Sequence, residues 1–199
     1  METKPQSEVW DAIAPEWHQY KEIPSELSKE FLKKQKGKIL DLGSGSGRHL
    51  TKITKGKMYL LDFSEEMIKF AKQKAKEKDI SAEFAVSEMK KIPYEDNFFD
   101  GAISISSIHC TPKKEHKKIV KELYRVLKPH AQALIGVWNI VSKRFKNSKK
   151  EKMIGWTDKG NRYYYLFSED EVHNLFKDAG FKIISTHNSE MMINFVVEK

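Results

Sequence analysis

Between Asp41 and Leu50 the chain reads DLGSGSGRHL, with Gly43, Gly45 and Gly47 at every second position. Glycines so spaced let a backbone turn approach a ligand closely. A dinucleotide pyrophosphate would ask for Gly-x-Gly-x-x-Gly, but Arg48 fills the third-glycine position and Asp41 would set a carboxylate beside the phosphates. That acid suits a cationic ligand instead. A second acid, Asp62, closes the run MYLLDF with Phe63 after it, and Glu88 and Met89 follow a third apolar run in SEMKKIPYEDNFFD. The single thiol, Cys110, allows no internal disulfide and no self-contained cysteine zinc site. It reads more simply as a small residue at a strand end than as an activated nucleophile.

These residues need a scaffold, and the apolar runs supply one. KILDL (38–42), MYLLDF (58–63), a run centred on 84–86, FDGAISI (99–105) and ALIGVW (133–138) read as buried strands, and 181–186 with 192–198 as a closing hairpin pair. Helical periods lie between them. Met67, Phe70, Ala71 and Ala75 follow Ser64, a suitable N-cap. Ile119, Val120, Leu123, Val126 and Leu127 form a second apolar face that Pro129 should end, and Ser168 with Glu171 predicts a capping box for a third helix, with Phe167 and Val172 as its staple and Gly180 beyond its end. Alternating strands and helices imply a mainly parallel α/β sheet with its ligand at the carboxyl ends of the strands.

Charge is placed unevenly. The formal net charge is +8, yet residues 113–162 hold 15 Lys and Arg against 4 Asp and Glu, so the rest of the chain is slightly acidic. A confined basic face interleaved with aromatics, as in SKRFKNSKKEKMIGWTDKGNRYYYLF, fits a nucleic-acid partner. Its lysine tract, 142–152, reads as a mobile loop grafted on the sheet. No apolar run approaches the roughly 20 residues that cross a bilayer, and the first residues lack a signal-peptide pattern, so a cytoplasmic protein without a membrane partner is expected.

Asp-x-Gly-x-Gly-x-Gly ending strand one, with an acid ending strand two, resembles the class I S-adenosylmethionine-dependent methyltransferases. The resemblance implies a single domain over 1–199 with a Rossmann-like, mainly parallel seven-stranded sheet and an antiparallel C-terminal strand. It implies S-adenosylmethionine as cofactor. Asp41 would lie near the methionine amino end, Gly43, Gly45 and Gly47 against the ligand, Asp62 on the ribose hydroxyls with Phe63 beside it, and Glu88 and Met89 at the adenine. Adenine-amino methyltransferases carry Asn or Asp followed by Pro-Pro after strand four, where this chain has SSIHCTP.

Longer stretches narrow the resemblance. VWDAIAPEW, AISISSIHC, KELYRVLKP running into ALIGVWN, RYYYLFSEDEV and NFVVEK look like the wobble-uridine tRNA methyltransferases, which esterify the carboxylate of 5-carboxymethyluridine in the anticodon loop. That family implies tRNA as partner, His109 and Arg162 to orient the carboxylate, and Tyr163 as a donor or stacking surface. It also implies a small zinc-binding activator adding a strand beside strand three, around Ala82 to Ser87, with no metal held by this chain itself. Trp10, Tyr20 and Lys21 would belong to an N-terminal helical lid within 1–36, and 139–167 to a basic, aromatic substrate-side insertion. The chain departs from the family at Lys21, Cys110, His130-Ala131 and Tyr165, where relatives carry Arg, His, Gly-Gly and His. Two other functions suit the same glycine loop: methylation of a small molecule such as a quinone precursor, and a non-catalytic cofactor-binding RNA adaptor.

Overall fold

A computed structural model describes residues 4–20 and 22–199. Seven strands form one sheet: β1 (Lys36–Leu42), β2 (Thr54–Asp62), β3 (Ala82–Val86), β4 (Phe99–Ile105), β5 (Leu127–Trp138), β8 (Lys182–Thr186) and β9 (Met192–Glu198), in spatial order β3-β2-β1-β4-β5-β9-β8. Pairs from β3 to β5 are parallel, and β9 runs antiparallel to both neighbours. This is the α/β class I methyltransferase architecture. The chain leaves β1 toward β2 on one side and reaches β4 on the other, so a crevice opens where the strand order reverses.

Alternation along the strands builds two cores. Leu40, Leu42, Leu61, Ala133 and Ile135 point to one face, covered by α4 (Lys113–Val126) and α5 (Glu169–Asp178) through Ile119, Leu123, Val172 and Phe176. Their neighbours Ile39, Leu60 and Leu134 point to the other face, covered by α2 (Glu26–Lys33) and α3 (Glu65–Glu77) through Phe31, Leu32, Ala71 and Ala75. Near-continuous apolar runs in β1 and β2 are the signature of strands buried on both sides.

Ser64 caps α3 as its sequence predicts, accepting from the Met67 N–H at 3.1 Å. The same hydroxyl donates to Asp11 at 2.5 Å, and that carboxylate also accepts from the Glu66 N–H at 3.2 Å. An acid at the positive end of α3 thus ties it to α1 (Gln6–Tyr20).

α4 ends at Val126, just before Pro129 as its sequence predicts, and the chain passes directly into β5, which contains the proline. Two expectations are corrected. Ser168 makes no side-chain cap to α5, and the Glu171 carboxylate that would close the capping box bonds the Tyr165 hydroxyl and Lys150 instead. The lysine tract is not a loose loop. Phe145 is buried, and β6 (Glu151–Gly155) pairs with β7 (Asn161–Tyr165) as a separate antiparallel hairpin. No helix among the described residues is long and apolar enough to cross a membrane.

Candidate active site

A cavity of about 300 Å³ opens at the carboxyl ends of β1, β2, β4 and β5. On one side lies the turn after β1. A Cβ on Gly43 would fall 2.3 Å from the Ser107 Cβ, and Gly43 has a φ of +75°, so only glycine lets this turn pass the end of β4. Gly45 faces the cavity with Trp17 and Met67 beyond it. Gly47 does not line the cavity; it lets the turn pack on Ala71 of α3.

The predicted acids take different stations. Asp62 lines the cavity and is 7% exposed, with one oxygen accepting from the Gly45 N–H at 2.8 Å and the other from the Ser64 N–H at 3.0 Å. Burial pushes its pKa up to about 6 against the pull of those two donors. Asp41 lies behind the turn and does not line the cavity. It is 1% exposed, neither oxygen has a hydrogen-bond partner among the described residues, and His49 Nδ1 stands 3.6 Å away. Phe63 and Met89 are lining residues, while Glu88 sits exposed at the rim, 3.2 Å from Lys90. Lys90 also holds Glu115 at 2.8 Å.

The far end is aromatic and short of bases. His109 is fully buried, and its Nδ1 accepts from the Trp138 N–H at 3.0 Å, so the neutral ring carries its proton on Nε2. That Nε2 has no partner among the described residues. Burial, with His116 nearby, lowers the His109 pKa to about 3, so the imidazole is a hydrogen-bond donor and not a cation at neutral pH. Its ring stacks on Trp138 at 4.9 Å. Beside it, half-buried Cys110 donates to the Ser106 carbonyl at 3.5 Å, and burial raises its thiol pKa.

β7 alternates, and the alternation separates the predicted residues. Tyr163 packs on the α4–α5 core and does not line the cavity; its neighbour Tyr164 does. Strand pleating sends adjacent tyrosines to opposite faces, which corrects the choice of Tyr163 as the one at the cavity. Arg162 shares Tyr164's face but stands behind it. Its guanidinium lies 4.8–5.7 Å from the rings of Trp10, Trp17, Trp156 and Tyr164, and it donates to the Tyr164 hydroxyl at 2.7 Å. No carboxylate pairs with it among the described residues, so cation–π contacts hold the charge. Arg162 does not line the cavity and meets it through Tyr164, Trp10 and Trp17.

The expected lid divides. Trp10, Trp17 and Gln6 of α1 line the cavity, whereas α2 packs under the sheet. Tyr20 ends α1 against Trp17 and Trp156, and Lys21 lies outside the described residues. Sequence reading missed Trp17, Trp138 and Tyr164. Trp138 ends β5 on the ligand side of the sheet, and RYYY alternation distinguishes Tyr164 from Tyr163, so both carried a usable signal.

Residues 39–130 match a family model described as a methyltransferase domain. The ubiquinone/menaquinone biosynthesis C-methyltransferase UbiE of Rickettsia felis is 31% identical over 176 residues, covering 75% of this chain and 70% of that protein. The chain belongs to the class I S-adenosylmethionine-dependent methyltransferases. The tRNA (carboxymethyluridine(34)-5-O)-methyltransferase of Arabidopsis thaliana is 32% identical over 133 residues, 65% of this methyltransferase; the match spans about a third (31%) of that longer protein. In three dimensions the methyltransferase is similar to the one solved in complex with the Haloferax volcanii Trm112 methyltransferase activator, with a TM-score of 0.74 at 18% identity over 99% of this chain and 97% of that one.

The cofactor is S-adenosylmethionine, and the residues present fit it. A buried acid with two orphan oxygens stands beside a turn kept free of side chains, and a second acid faces the cavity. Bound there, the cofactor supplies an electrophilic methyl group on a sulfonium.

Proposed function

We propose that this methyltransferase esterifies the carboxylate of 5-carboxymethyluridine at the wobble position of tRNA. One observation carries the reading: the acceptor end of the cavity offers donors but no group ready to take a proton at neutral pH. His109 is held neutral with its Nε2 proton free, the Cys110 thiol is kept protonated, and Tyr164 is raised by burial. Glu115, the nearest carboxylate of α4, is tied to Lys90. Such a site suits an acceptor that is already ionised, and a carboxylate with an ordinary pKa near 4 is one. His109 orients it, and Arg162 sets the Tyr164 hydroxyl without presenting its own charge. Gly43, Gly45, Asp62, Phe63, Glu88 and Met89 hold the cofactor, with the Asp41 carboxylate behind the glycine turn. The relationship to the Arabidopsis tRNA enzyme supports the substrate.

We infer a small zinc-binding activator as partner, adding a strand at β3. Among the described residues that strand pairs only with β2, and Val86 at its end is 49% exposed. The activator-bound Haloferax methyltransferase of the same fold supports this partner.

The test is to incubate chain and activator with a labelled methyl donor and carboxymethyluridine tRNA, then digest to nucleosides. A base-labile ester on the wobble uridine is expected, and Cys110→Ala should keep the activity within about twofold because no covalent adduct is needed. Absence of transfer despite measured cofactor binding would overturn the reading. The 31% identity to a quinone-pathway enzyme favours a second one, methylation of a small acceptor. In that case neutralising Lys149, Lys150 and Lys152 would leave turnover unchanged.

A further inference from the structure

α4 carries lysines at 114, 117, 118 and 121, the i, i+3, i+4, i+7 spacing of one helix face. All four are exposed, and none makes an ion pair or hydrogen bond among the described residues. The acids of the helix are used elsewhere: Glu115 on Lys90 at 2.8 Å, and Glu122 on Arg125 at 2.8 Å and the Ile92 N–H at 3.0 Å. The opposite face, Ile119, Val120, Leu123 and Val126, is buried. A helix face that serves only solubility mixes signs, because like charges three and four apart repel. Here four such pairs share one face, eased only in part by the attraction between Lys118 and Glu122.

The stripe is also well placed. Pro112, Glu115 and Ile119, at the start of α4, line the cavity, so the lysines begin at its mouth and run outward. From Lys114 to Lys121 the helix rises about 10 Å, the reach of roughly three nucleotides of a helical strand. Glu171 joins the start of α4 to the segment that leads into β6, standing 3.6 Å from Lys113 and 2.8 Å from Lys150. The stripe therefore continues the lysine tract that precedes the hairpin.

We propose that the outward face of α4 is a phosphate track that holds the stem adjoining the nucleotide in the cavity, an inference that rests on the tRNA reading above. The test compares wild type, Lys114/Lys117/Lys118/Lys121→Gln and Lys143/Lys146/Lys149→Gln, each with activator, for tRNA binding between 50 and 300 mM salt. Replacing the stripe should weaken binding about tenfold or more near physiological salt and flatten the slope of log K against log salt by about three. Cofactor affinity and kcat at saturating tRNA should not change, and a four-arginine variant should bind like wild type. Wild-type binding by the stripe variant, with loss only in the Lys143/Lys146/Lys149 variant, would overturn the track and leave the tRNA reading standing. A wild-type chain that neither binds nor methylates tRNA would overturn that reading and the track with it. So would a stripe that binds phosphatidylserine vesicles and not tRNA.

Discussion

Asp62 carries opposing demands. Buried at the floor of the cavity, its carboxyl titrates near pH 6 instead of 3.8. The folded, cofactor-free protein therefore holds this proton more tightly than the unfolded chain does. Below about pH 4 both states are protonated and burial costs nothing extra. As pH rises through 4 to 6 that freedom is lost, at up to about 3 kcal/mol for two pKa units. Ribose hydroxyls would need the ionised form as acceptor, so binding runs the other way. Cofactor affinity should fall about tenfold per unit below pH 6 and level off above it, read by calorimetry from pH 4.5 to 7.5. An Asp62→Asn variant should bind weakly at every pH; a wild-type affinity flat down to pH 5 would remove Asp62 from the ribose.

At the scale of elements, α1 and the β6–β7 hairpin form one unit across the cavity. The Gln6 amide donates to the Asn161 carbonyl at 3.0 Å and accepts from the Tyr163 N–H at 2.8 Å, as a strand neighbour would. Farther along, Glu16 pairs with Lys159 at 2.6 Å and accepts from the Trp156 indole. Gln6→Ala removes both backbone contacts, and amide exchange in 6–20 and 151–165 should rise by the equivalent of about 1–2 kcal/mol, with the sheet unaffected. Uniform acceleration over the sheet would show instead that the clamp supports the whole fold. The strands and helices were readable here because buried runs and capped amphipathic periods are local signals. The hairpin was not, because lysine spacing resembles solvated loop, and Phe145, Tyr164 and Trp138 interlock only through distant contacts.

For the whole molecule, the open edge is the exposed feature. β3 shows unpaired backbone groups on one side, which suits an added strand and invites aggregation without it. Val86→Lys should reduce capture of the activator by about tenfold while cofactor binding by the isolated chain persists; unchanged capture would move the partner elsewhere. The glycine turn and Asp62 were legible because a motif concentrates them within 22 residues. The acceptor end draws on α1, β5, β7 and the turn after β4, and nothing in the linear order brings Trp17, His109, Trp138 and Tyr164 together. The Gln6 clamp has a further consequence. Its two halves are 155 and 157 positions apart, so a ribosome making this chain releases α1 long before the hairpin it rests on. α1 can meet α3 through Asp11 and Met67 as soon as α3 emerges, but the contact of Trp17 with Trp156 forms only when the hairpin follows, and until then that ring waits in solvent or in the hands of a chaperone.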